Sequence, residues 1–125
     1  AVVEPVNGFC SQKDYEIFMG QVNDFERMIT ESDTFFIKIY FSITKEEQAR
    51  RFADIRNSPL KRWKMTPVDE KAQVLWDQYT AYKDRMFEVT NTDTSPWKVI
   101  DANKKSHARL EAIRYILENI PYKVD

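Results

Sequence analysis

At 125 residues, 42% of them hydrophobic and 14% aromatic, the chain has the length and apolar content of one globular domain with its own core. Its formal net charge of -1 excludes a protein that coats nucleic acid or membrane with its whole surface, so any anion binding must be local. Cys10 is the single cysteine, which excludes an internal disulfide and a cysteine-rich metal site and makes a reduced, cytoplasmic location the expectation.

No apolar run approaches the roughly 18 residues that a membrane span requires, so no membrane partner is expected. The opening, AVVEPVNGF, lacks an initiator Met and reads as cut from a longer protein. Gly8 and Gly20 are the only glycines, so neither a P-loop nor a dinucleotide fingerprint can be written within the chain. If phosphate is the ligand, side chains must hold it.

In chain order, Ser11 three residues before Asp14 and Asn23 three before Glu26 predict two short helices over residues 11–32. Tyr15, Phe18 and Met19, then Phe25, Met28 and Ile29, form their expected core stripes. TFFIKIYFSI, residues 34–43, predicts a strand covered on both faces, as in a parallel sheet, with Lys38 its only charge. Thr44 and Glu47 predict a capped helix running to about Arg56, which Asn57 and Pro59 stop. Thr66, Pro67 and Asp69 open what reads as one long helix, with Val68, Ala72, Leu75, Tyr79, Tyr82 and Met86 along its seam. A polar turn over 90–96 leads to a second strand at 97–101. The last helix, about 105–120, places Leu110, Ile113, Leu117 and Ile120 on one face and ends at Pro121. The order is α/β, with a helical crossover between two parallel strands.

RRFADIRNSPLKRWK, residues 50–64, concentrates positive charge in an otherwise balanced chain. Glu46 to Arg50 and Glu47 to Arg51 are i,i+4 pairs in the favoured orientation, which gives those two arginines a structural reason to be there. Arg56 has Phe52 and Ala53 one turn before it, and Lys61, Arg62 and Lys64 meet no acid until Asp69. Such cations repel one another unless an anion joins them, and the planar arginine fork suits phosphate. Trp63 among them offers a stacking surface, but a ring in this setting is expected to pack on a neighbouring helix. A smaller basic cluster, NKKSHAR at 103–109, falls where a strand hands over to a helix, the end of an open α/β sheet at which ligands bind. His107 is the only histidine and no serine nucleophile signature accompanies it or Cys10, so self-contained catalysis is not expected.

YFSITKEEQARRF, PLKRWKMTPVD, WDQYTAYKDRMF, SPW and ARL followed by IRYIL stand in the order and spacing that resemble the C-terminal half of polyphosphate kinase 2. The likeness covers nearly the whole chain. It implies the C-terminal part of a P-loop kinase fold, with parallel strands, covering helices and a helical lid over residues 45–87. The last strand and helix fall at 97–120, and the family's Walker A loop and Walker B aspartate lie before this sequence begins.

The implied activity is phosphoryl transfer between inorganic polyphosphate and nucleoside mono- or diphosphates, with Mg²⁺ as cofactor. By the same resemblance Arg56 is the lid arginine that meets the transferring phosphoryl group, and Arg51, Lys61, Arg62 and Lys64 hold the polyanion. Glu4 matches an acid that serves the metal and phosphate site, and Asn103 and Lys105 belong to the nucleotide loop. Lys104, where many members carry Asp, and Glu111, where Asn is common, depart from the pattern and bear on base preference. The implied partners include the N-terminal half of the same domain. An open apolar edge along residues 35–43 makes a homo-oligomer the expectation. The alternatives are a stand-alone polyanion or nucleic-acid binding module without catalysis and an inactive structural fragment.

Overall fold

A computed structural model describes residues 1–123. In order the elements are α1 (Val3–Val6), α2 (Gln12–Glu31), β1 (Lys38–Ser42), α3 (Lys45–Asn57), a 3₁₀ turn (Arg62–Lys64), α4 (Pro67–Ala72), α5 (Trp76–Thr90), β2 (Trp97–Asp101) and α6 (Lys105–Asn119). The chain is α/β, and its two strands pair in parallel from Lys38↔Trp97 to Ser42↔Asp101.

Two compact units divide the chain. The first holds Ala1–Gly20 and Thr44–Val89, the second Gln21–Ile43 and Thr90 onward. In the first, Tyr15, Met19, Ala72 and Met86 are buried, and the Tyr15 and Tyr82 rings meet edge to face at 5.1 Å. Glu16 receives both terminal nitrogens of Arg85, at 3.0 and 2.8 Å. In the second, α6 lies on the sheet through Ala108 and Ala112, which pack with Ile100 and Ala102 and with the partly buried Ile39 and Ile43.

Local signals place four boundaries where the sequence puts them. Thr44 accepts the Glu47 backbone N–H at 3.2 Å and starts α3. Thr66 and Asp69 form a reciprocal capping box with Pro67 at the first position of α4. Asn91 Oδ1 accepts the Trp97 N–H at 2.9 Å as β2 begins, and α6 ends just before Pro121.

Elsewhere the fold corrects the sequence reading. The two helices expected over 11–32 are one, because Tyr15, Met19 and Glu26 share a buried stripe that runs straight through Asn23. Phe18, Phe25 and Met28 stay exposed. The strand expected at 34–43 is only Lys38–Ser42, since its partner starts at Trp97 after Pro96, which has no N–H to extend the ladder. The single long helix from Thr66 is α4 and α5, separated by a turn at 73–75 where Gln73 Nε2 donates to Lys45 O at 3.1 Å and to Gln48 Oε1 at 2.7 Å. In α6 the buried side chains are Ala108 and Ala112, not Leu110, Ile113 and Leu117, which are 46–54% exposed.

The strand's only charge is fully absorbed. Lys38 and Glu26 are both buried and paired at 2.8 Å. The ammonium also donates to Thr90 O and lies 5.0 Å from the centre of the Trp97 ring.

Candidate phosphate-binding site

Helix α3 sorts its arginines by partner. Arg50 reaches back three residues to Glu47 at 2.7 Å and forward four to Asp54 at 2.9 Å, and not to Glu46 as the i,i+4 reading expects. Arg51 Nε donates to the same Glu47 carboxylate at 2.8 Å, the pairing expected for it. Arg50, and after it Arg51, hold the Glu47 carboxyl down at about 2. Glu47 in turn pushes the Arg50 guanidinium above its usual value. The help these pairs give α3 is therefore present in full above pH 4.5 and fades as pH falls through about 2. A carboxyl ¹³C titration of Glu47 is expected to show a midpoint near 2, and a midpoint of 4 or above would contradict the clamp.

Arg56, Lys61, Arg62 and Lys64 behave differently. All four are exposed, and none forms an ion pair with a described residue. Arg56 stands in the last turn of α3, where a cation also answers the helix dipole. The segment after it is tied back to that turn, because Arg62 Nε donates to the Arg56 carbonyl at 2.8 Å. Further backbone bonds, Lys61 N–H to Ser58 O at 3.0 Å and Lys64 N–H to Lys61 O at 2.9 Å, shape the segment into a tight turn. The sequence shows that these charges are uncompensated, but not that Arg62 caps α3.

Trp63 departs from the expectation that its ring packs on a helix. It is 78% exposed, with Nε1–H donating to Leu60 O at 3.0 Å and the Lys64 ammonium 5.5 Å from the ring centre.

Glu4 lies in α1 of the same unit and pairs with the Ala1 ammonium at 3.1 Å. Its own backbone N–H, and then that ammonium, lower its pKa. Glu4 also lines a cavity of about 340 Å³ with Pro5, Cys10, Asp14, Tyr15 and Phe18. Ala1 lines it too, but no lysine or arginine does, and the Ala1 ammonium is already paired with Glu4. Among the described residues no group of three His, Cys, Asp or Glu side chains could hold a metal ion. The described residues do not build a magnesium site of their own.

Asn103 and Lys105 fall in the second unit. There Asp101 Oδ1 accepts the Asn103 N–H at 2.9 Å, which turns the chain from β2 into α6, and Lys105 is the first residue of that helix. Both side chains are exposed, as is His107.

The chain is 47% identical over 122 residues to a GDP-polyphosphate phosphotransferase of Pseudomonas aeruginosa, a match that takes in 98% of this chain and 34% of that protein. It is 42% identical over 121 residues to ADP-polyphosphate phosphotransferase 2 of Rhizobium meliloti, covering 97% of this chain and 40% of the relative. The crystal structure of polyphosphate kinase 2 from Arthrobacter aurescens superposes with a TM-score of 0.84 at 30% identity, over 99% of this chain and 47% of that one. The chain thus spans well under half the length of the curated relatives named here. The family model for polyphosphate kinase 2 matches from residue 1 to residue 125, and with a backbone that agrees, the chain belongs to the polyphosphate kinase 2 family.

Proposed function

We propose that this chain supplies the phosphate-gripping lid of an enzyme that transfers phosphoryl groups between inorganic polyphosphate and nucleoside phosphates. One observation carries the reading. Of the six cations in residues 50–64, Arg50 and Arg51 are neutralised by Glu47 and Asp54, while Arg56, Lys61, Arg62 and Lys64 have no acidic partner among the described residues. A polyphosphate chain carries about one negative charge per phosphate and fits a cluster of this kind.

The work of these residues is electrostatic. Lys61, Arg62 and Lys64 hold the polyanion, and Arg51, whose charge Glu47 already answers in part, adds least from α3. Arg56 meets the phosphoryl group in flight, where negative charge spreads over the equatorial oxygens and a fixed cation lowers the barrier. Asn103 and Lys105, after β2, address the nucleotide. Glu4 would offer at most one ligand to a Mg²⁺ held mainly by the phosphate oxygens, and such an ion would neutralise part of their charge.

A protein of the relatives' length that carries this sequence is expected to make ATP or GTP from polyphosphate and the matching diphosphate in the presence of Mg²⁺. The 125-residue chain alone is expected to bind polyphosphate but to make no triphosphate, since its two glycines form no phosphate-cradling loop. Triphosphate formation by the isolated chain would overturn the second expectation. A full-length protein without transfer activity would overturn the first.

A further inference from the structure

Three tryptophans occur in the chain, and Trp63 differs from the other two. Trp76 and Trp97 are partly buried, and the Trp97 indole N–H donates to Thr90 Oγ1 at 2.9 Å. Trp63 is 78% exposed, although tryptophan is on average among the well-buried residues. Two local hydrogen bonds nevertheless restrain its segment. The one donor of its indole is engaged by Leu60 O at 3.0 Å, and the preceding residue is pinned to the end of α3 by the bond from Arg62 to the Arg56 carbonyl at 2.8 Å. With the indole N–H engaged within its own segment, what the ring leaves exposed is aromatic surface. Around it in sequence stand Lys61, Arg62 and Lys64, with the Lys64 ammonium 5.5 Å from the ring centre.

A ligand that matches this arrangement carries a flat π system and a polyanion joined by a short link. We propose that Trp63 is a stacking platform for the base of a nucleoside phosphate whose phosphates the adjacent cations hold. The assignment rests on the phosphate-binding reading above and extends it to a part of the ligand that polyphosphate lacks. Stacking on an aromatic side chain tolerates any base, so Trp63 supplies affinity and leaves the choice between adenine and guanine to other contacts.

The test uses the 125-residue chain and isothermal titration with GDP, inorganic pyrophosphate and tripolyphosphate, for the wild type, Trp63→Ala and Trp63→Phe. The wild type is expected to bind GDP about tenfold tighter than pyrophosphate. Trp63→Ala should remove that advantage while leaving pyrophosphate and tripolyphosphate affinity unchanged. Trp63→Phe, which keeps a π face, should retain most of it. If GDP binds no better than pyrophosphate, or its advantage survives Trp63→Ala, the stacking assignment fails and the phosphate-binding reading stands. If neither inorganic phosphate binds, the underlying reading fails and takes the assignment with it. A short oligo(dT) that binds more tightly than GDP through Trp63 would give the ring to single-stranded nucleic acid and overturn the proposal.

Discussion

Replacing Arg56 with alanine is expected to lower turnover with polyphosphate about a hundredfold or more in a full-length protein carrying this sequence, with little change in the unfolding midpoint. The size of the effect follows from what a single well-placed positive or hydrogen-bonding group contributes to a charge-building transition state, about a hundred- to a thousandfold. The absence of a folding effect follows from the geometry. The Arg56 side chain is exposed and forms no ion pair with a described residue. The bond that ties the next segment to α3 goes to its backbone carbonyl, which alanine keeps. Surface substitutions of that kind change stability by less than about 0.5 kcal/mol. Arg50→Ala is the internal control. It removes the pairs to Glu47 and Asp54 and should leave transfer nearly unchanged. Equal losses in the two variants would mean that net charge on α3 matters and the position of Arg56 does not. Unchanged turnover in Arg56→Ala would move the search to Lys61, Arg62 and Lys64.

Lys38→Met is expected to destabilise the fold by about 3–5 kcal/mol in a denaturant melt. The loss has little to do with the attraction between Lys38 and Glu26 in itself. Glu26 is 7% exposed, and without the ammonium at 2.8 Å its charge stays buried with its ion partner gone, while Thr90 O loses a donor. Taking Glu26 to leucine at the same time should recover most of the loss, since an apolar pair of similar volume avoids both desolvation penalties. A single substitution without effect would show that the pair stays wet. A double variant no better than Lys38→Met would place the loss in the Lys38 contact with the Trp97 ring, 5.0 Å away.

Features encoded within four or five neighbouring residues were legible in the sequence. The start of α3 at Thr44, the Thr66–Pro67–Asp69 opening of α4, β2 after Pro96 and the end of α6 before Pro121 all depend on caps and prolines, whose physics is local. Features decided by distant partners were not. Asn23 reads as a helix start, but inside a helix it costs at most about 0.7 kcal/mol against alanine, and a continuous buried stripe overrides that. Nothing near residue 73 announces that Gln73 will turn its amide to α3 and break the seam. In α6, periodicity marks an apolar face without saying what covers it, and the sheet accepts the small Ala108 and Ala112 side instead.

The candidate site was legible as charge and not as geometry. Counting acids one turn away separated Arg56 from Arg50 and Arg51, but gave Arg50 the wrong partner, since a side chain three residues back competes equally well. The ring of Trp63 was expected to be covered and is not. A clue to the buried pair was available, because a lone lysine in an apolar strand requires an acid, but its position twelve residues upstream was not.

That buried pair also sets how the strand unit responds to heat. The hydration of charged groups becomes less favourable as temperature rises, so the penalty for keeping Lys38 and Glu26 away from water shrinks on warming, while the gain from apolar contacts levels off. The ionic contact that contributes least in the cold becomes a growing share of what holds β1 to α2 as the protein warms.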